Sequence, residues 1–233
     1  MKGIILKAAC LLISMVSSGQ TVNVHLKNGQ IIEYNASDVE YVDFTKNTSY
    51  TSIKAIDLGL SVLWADCNLG ADKPEEYGNY YAWGEVNAKK KFTEENYAYY
   101  DSSTNSNTNI GSNISGTQYD AARANLGNGW RMPTVKDFEE LINKCTWKWT
   151  QSNGTEGYLV TGTNGKTIFM PASGYMTNTD TYQQGKDVRL WSAIEETYQK
   201  TGAYSFDGTY TSQYANTYEL KFCGIAIRAI KNR

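Results

Sequence analysis

Histidine occurs once in this chain of 233 residues, at His25. A lone imidazole removes His-based catalytic triads and most zinc sites, which use that side chain as base or ligand. His25 falls in an alternating strand pattern and reads as decoration of that strand. Cysteine is almost as scarce, and its four copies form no close pair and no second cluster. A structural metal site is therefore not expected, and no cofactor is implied. Charge of either sign is not in excess: the formal net charge of −2 gives no general pull toward nucleic acid or anionic lipid. The chain contains neither GxxxxGK[ST] nor GxGxxG, so a phosphate cradle is unsupported. The carboxylate pairs Glu75-Glu76, Glu94-Glu95, Glu139-Glu140 and Glu195-Glu196 are each immediate neighbours. Adjacent residues point apart on a helix or strand, so none of these pairs is an acid/base dyad. No catalytic residue is assigned.

Against these absences stands an unusual wealth of tyrosine: 18 Tyr against 6 Phe, with 6 Trp. Tyrosine carries an apolar ring and a hydroxyl, which suits exposed sheets and half-wet binding faces. The first residues, MKGIILKAACLLISMVSSGQ, combine Lys2 and Lys7 with an apolar run from Ala8 to Val16 and then small residues. That run is too short to span a bilayer and predicts an export signal over residues 1–19, with Gln20 as the new N-terminus. Cys10 precedes most of the apolar core, which is not the arrangement of a lipid-modified cysteine. Export points to the periplasm, the outer-membrane surface or the exterior, with no transmembrane segment once the signal is removed. In an oxidising compartment, Cys67, Cys145 and Cys223 would leave one disulfide and one free thiol, in any of three pairings, or three buried thiols.

Periodicity divides the remainder. Val22, Val24 and Leu26 alternate with polar residues, Asn28-Gly29 supplies a tight turn, and Ile31, Ile32 and Tyr34 return. Residues 20–44 thus read as a small β module, with a third strand over Val39–Phe44, and residues 45–54 as a linker. Residues 55–233 form the main domain. Its start is irregular strand and turn, in which Tyr77, Tyr80, Tyr81 and Trp83 alternate toward a core. Residues 101–116 are a polar loop. Tyr119–Gly127 predicts one helix, stopped by Gly127. Thr134 caps a second, with Asp137 as its capping-box partner and an apolar stripe of Val135, Phe138, Leu141 and Ile142. Asn164-Gly165 joins two strands of a hairpin, and RLWSAI, GAYSF, TYELKF and GIAIRAI are further strands. The class is α+β, a mostly antiparallel sheet with two helices.

VLWADCNLGA, PEEYGNYYAWGE, DAARANLGNGWRMPT, FEELINKCTWKW, TEGYLVTGTNGKTIFMPASGY, LWSA and GIAIRAIK occur here in that order. This series resembles the FISUMP family, the Fibrobacter succinogenes major paralogous domain, from about Ala55 to the C-terminus. The resemblance implies a C-type-lectin-like domain, the fold shared with formylglycine-generating enzymes. It departs at the end, where Gly224 and Arg228 are kept but the family's closing proline is not. It also departs at Leu190-Trp191-Ser192-Ala193, where YWSST is typical. Matched motifs imply a Cys67–Cys145 disulfide. They make Trp130, Arg131, Pro133, Thr134, Trp191 and Arg228 structural, with Trp130 buried and Arg131 paired to a carboxylate or carbonyl. The EPN, QPD and WND signatures of calcium-dependent sugar binding are absent. The one redox-capable cysteine near the C-terminus, Cys223, does not make the pair that formylglycine generation needs. What the resemblance leaves is the variable ligand loop, PASGYMTNTDTYQQGKDVRL. Tyr175, Asn178, Tyr182, Asp187 and Arg189 are its candidate ligand-binding residues: rings stack on sugar faces while the polar groups hydrogen-bond hydroxyls. The expected function is a non-enzymatic module binding a glycan or an extracellular or envelope protein without calcium. The alternative is an assembly protein whose N-terminal β module adds a strand to a partner.

Overall fold

The structure is a computed structural model describing residues 21–25, 30–38, 53–127, 129–198 and 200–233. It divides into two compact units, Met1–Thr48 and Ser49–Arg233. In the first, β1 (Thr21–His25) pairs antiparallel with β2 (Ile31–Asn35), placing Val22 opposite Tyr34 and Val24 opposite Ile32. A 3-10 turn follows at Ala36–Asp38. Every residue of β2 is exposed, including Ile31 and Tyr34. The Asn28-Gly29 turn, the strand expected over Val39–Phe44, most of the linker and the export signal lie outside the described residues.

The second unit begins with β3 (Ala55–Ile56) and β4 (Val62–Ala65). A short hairpin, β5 (Tyr100–Asp101) and β6 (Ser106–Asn107), precedes α1 (Ala121–Leu126), β7 (Trp130–Arg131) and α2 (Val135–Lys144). Then come β8 (Thr146–Ser152), β9 (Thr155–Thr161), β10 (Thr167–Pro171), β11 (Tyr175–Thr177) and β12 (Asp180–Tyr182). The chain ends with β13 (Val188–Glu195), β14 (Gly202–Thr209), β15 (Ser212–Leu220), β16 (Gly224–Ile225) and β17 (Ile230–Asn232). All named strand pairings are antiparallel. The sheets of this unit run β10-β9-β8, β12-β11-β16, β13-β14-β15, β3-β4-β17-β7 and β5-β6. The C-terminal β17 lies between β4 and β7, so the two ends of the domain close on one sheet. The α+β class with two helices is what the periodicity predicts.

Two large cores and a small cluster of Ala82, Phe92 and Tyr97 hold the unit together. Trp64, Phe138, Leu141, Val160, Met170 and Phe206 fill one beneath α2, and Trp83, Trp191, Met132 and Ile225 belong to the other. Each such side chain contributes about 1.5–3 kcal/mol on burial. The polar 101–116 segment is not merely a solvated loop: it contains β5 and β6, and Ile110 and Ile114 are buried in the second core. Two isolated apolar residues suffice to pin it.

The WRMPT stretch is a bracket between the helices. The Thr134 hydroxyl accepts from the Asp137 backbone N–H, and the Asp137 carboxylate accepts from Thr134 N at 2.7 Å. Arg131 donates from Nη1 to Asp137 Oδ2 at 2.9 Å and from Nη2 to Oδ1 at 3.2 Å. Pro133 is buried, as expected for the helix entry. Trp130 is only half-buried, a correction: it packs against the edge of the second core, and Lys231 Nζ lies over its ring at 5.8 Å. Tyrosine and tryptophan at a short edge strand can keep one face wet while the other is covered.

The cysteines require a second correction. Cys67, Cys145 and Cys223 are all free thiols, so the Cys67–Cys145 bridge implied by the motifs is not formed. Cys67 is buried and its thiol donates to Ala71 O at 3.3 Å, whereas Cys145 ends α2 and packs against the first core. Burial pushes the Cys67 thiol up to about 12 and those of Cys145 and Cys223 up to about 11. Each is used as a small apolar side chain.

Candidate functional site

The segment from Ala172 to Arg189 doubles back through the β11–β12 hairpin, and glycine makes the return possible. Gly174 has φ +60, and a Cβ there would lie 2.0 Å from Tyr182 O. Its N–H donates to Asp187 O at 2.8 Å, which ties the two ends of the loop. The hairpin register sets Tyr175 directly opposite Tyr182. Their rings stack at 5.5 Å between centroids with 23° between planes. The Arg189 guanidinium also lies over the Tyr175 ring, 4.8 Å from its centroid. Tyr182, Tyr175 and Arg189 thus form a three-step ladder, outermost at Tyr182, which is 44% exposed. Ring–ring and cation–π contacts of this kind contribute about 0.5–2 kcal/mol each.

Arg189 is the meeting point of two sheets. It stands opposite Asp207 across β13 and β14, and its Nη2 donates to Asp207 Oδ2 at 3.1 Å. The same nitrogen lies 3.8 Å from Asp187 Oδ2, while Nη1 pairs with Glu219 on β15. Three carboxylates therefore surround one guanidinium, all half-buried or buried. Burial pushes the Asp187 and Asp207 carboxyls above their ordinary range, and the pull of Arg189 does not cancel it. Beyond Asp207 in the ladder stands Tyr214, its direct partner on β15, which is 58% exposed. Directly paired residues share a sheet face, so Arg189, Asp207 and Tyr214 form one row.

Of the five residues expected to bind ligand, Tyr175, Tyr182, Asp187 and Arg189 converge. Asn178 does not join them: it takes a left-handed turn position at φ 54, and its backbone pairs with Phe92 through two 2.7 Å bonds. Sequence reasoning missed Asp207, Glu219 and Tyr214. A carboxylate within the apolar run of GAYSFDGT was the available signal, because a charge in a buried strand needs a partner.

Elsewhere the polar groups serve the fold. Tyr80 donates from its hydroxyl to Ser173 O at 2.6 Å and accepts from Gln184, bracing the same loop, while Tyr81 and Trp83 are buried. Trp191 is fully buried, and its indole donates to Tyr81 O at 2.7 Å. Lys221, 1% exposed, pairs with Glu195 at 2.7 Å and lies 4.8 Å above Trp83. Among the described residues no group of three or more His, Cys, Asp or Glu side chains could hold a metal ion, and no helix is long and apolar enough to cross a membrane. The chain matches no protein-family model, no curated protein and no solved structure.

Proposed function

We propose that this chain is an exported, non-enzymatic binding module of FISUMP type with a C-type-lectin-like fold. Its ligand is a glycan, bound without calcium at the Tyr182–Tyr175–Arg189 ladder. The observation that carries this reading is an exposed ring stacked on a prearranged ring and cation. A sugar face needs a flat apolar partner that stays put when water leaves. Tyr182 is held by hairpin register and by Tyr175, so little rotamer freedom remains to be lost on binding. The test is a glycan array with and without chelator. Chelator-insensitive binding that falls at least tenfold in Tyr182→Ala supports the site. Binding abolished by chelator, or untouched by Tyr182→Ala, removes it.

A second reading rests on the first unit. Its β2 exposes Ile31 at 56%, Ile32 at 40% and Tyr34 at 48%. Two-stranded ribbons are marginal alone, and such an apolar edge suits strand addition to an envelope partner. Deleting residues 20–52 separates the two readings: assembly would be lost, whereas ladder-borne glycan binding would survive.

A further inference from the structure

The sheet β13-β14-β15 has one covered edge and one open edge. Along β13 the outward N–H groups are taken: Trp191 N donates to Ala226 O at 3.0 Å, Ala193 N to Pro133 O at 2.7 Å and Glu195 N to Ser112 O at 2.9 Å. Among the described residues the only strand paired with β15 is β14. Alternate N–H and C=O groups of β15 therefore point away from the sheet. Open edges are usually guarded by lysine, by proline or by shortness. In this unit β8 carries the exposed Lys148, β10 ends on Pro171, and β3, β5, β6, β7, β12 and β16 have two or three residues. By contrast β15 has nine residues, neither lysine nor proline, and a single charge at Glu219. Its register shift against β14 falls at mid-strand and leaves Thr217–Leu220 regular. Its long side chains turn inward across the sheet. Gln213 donates to the Tyr158 hydroxyl, and Glu219 pairs with Arg189. The Tyr218 ring folds over Gly202 of β14, where a Cβ would lie 1.9 Å from it, and its hydroxyl bonds Thr201 Oγ1 at 3.2 Å. Tyr214 and Asn216 stay exposed.

We propose that β15 is a self-association edge. Two copies of this chain pair their β15 strands antiparallel about a two-fold axis at Asn216, the midpoint of the strand, and so join their sheets into one. The occupant is a second copy because identical strands meet here without repulsion: the only charge on β15 is turned inward to Arg189. The area agrees. Aromatic side chains offer about 150–250 Å² each, so the exposed parts of Tyr210, Tyr214, Tyr218 and Leu220, with the strand's own main chain, come to roughly 500 Å² per copy. Two copies together bury about 1,000 Å², the lower limit for a specific interface, which makes the pair reversible. The inference does not depend on the ladder being a glycan site.

Sedimentation equilibrium on the full chain tests it. The weight-average mass is expected to rise toward twice the monomer value between about 5 µM and about 500 µM. Asn216→Lys and Asn216→Asp each set like charges against one another across the axis, and each should weaken pairing several-fold. Asn216 is exposed, so the melting temperature should stay within a few degrees in both. Mixing the two variants should restore pairing, because lysine then faces aspartate. Only a two-fold contact at this residue gives that rescue. Amide exchange on the parent chain supplies a measure that needs no substitution: peptides within Ser212–Leu220 should exchange several-fold more slowly at the higher concentration. A chain that stays monomeric throughout overturns the inference. A dimer untouched by either substitution also overturns it and moves the contact elsewhere, to the exposed β2 first. Weakening in both variants without rescue in the mixture overturns the antiparallel two-fold pairing.

Discussion

Asp187 and Asp207 behave oppositely to most carboxylates of a folded protein. Their folded-state carboxyls are raised, chiefly by burial, so the native state holds protons that the unfolded chain has released. Across the window between the unfolded and the raised folded values, stability from these two groups increases as pH falls. Asp187→Asn is therefore expected to be neutral or stabilising at pH 7, by at most about 1 kcal/mol. The gap from the parent protein should close as pH drops through that window, which paired thermal melts at several pH values would reveal. A large loss of stability at pH 7 would show that Arg189 depends on Asp187 far more than a 3.8 Å contact implies. The thiols provide a second test at this scale. With folded-state values near 11 and 12, under about a thousandth of each is thiolate at pH 8. Alkylation of the native protein followed by peptide mapping should label half-buried Cys145 first. Cys67 and Cys223 should react only after unfolding. Isolation of a Cys67–Cys145 linked peptide would contradict the free-thiol arrangement.

Among the elements, α2 shows how one side chain can hold several local bonds together. Burial raises the Asp137 carboxyl, but the bonds from Arg131 and Thr134 outweigh it and hold that carboxyl below its ordinary range. A depressed carboxylate stabilises the fold above its unfolded value and loses that contribution as pH falls through the folded one. Thr134→Ala removes one cap and should cost about 1 kcal/mol. Asp137→Ala removes the reciprocal cap and the Arg131 ion pair, leaving Arg131 its bonds to Asn232, Ser115 and Met132 O, and should cost about 2 kcal/mol, seen as a drop of roughly 4–8 °C in Tm. Equal effects would mean that the Arg131 pair contributes nothing beyond capping. Helix α2 was legible because capping and the 3.6-residue stripe act within a dozen residues. The hairpin across Asn164-Gly165 was legible for the same reason, since Gly165 takes φ +81 in the turn. By contrast β15 changes register against β14 between Ser205 and Asp207, where Tyr214 to Thr217 lie opposite, ahead of the stretch TYELKF that read as strand.

Across the whole domain, Arg228 is the long-range fastener. It is fully buried, and its partners are Asn68 Oδ1 at 2.9 Å, Ala65 O at 3.1 Å and Phe169 O at 2.8 Å. Burial pushes its guanidinium down to about 10, yet it remains charged at neutral pH. One planar fork thus joins the end of β4 and the middle of β10 to the last segment of the chain. Arg228→Met should cost about 3–5 kcal/mol, and Arg228→Lys should recover little, because a single ammonium cannot reach three divergent acceptors. Chemical denaturation of both variants would measure this, and full rescue by lysine would reduce Arg228 to a simple charge. Local sequence alone determined the two helices, the capping box, the Asn164-Gly165 hairpin turn and the strand-rich α+β class, because each is set by contacts a few residues apart. The loop carrying Tyr175, Tyr182, Asp187 and Arg189 was also legible, as a polar aromatic stretch between buried strands. Only the tertiary structure decided that Asp207 and Glu219 close around Arg189, that Tyr214 stands in the same row, and that the cysteines stay apart. Those outcomes depend on register between strands distant in the chain, where one residue of slip turns a side chain to the opposite face.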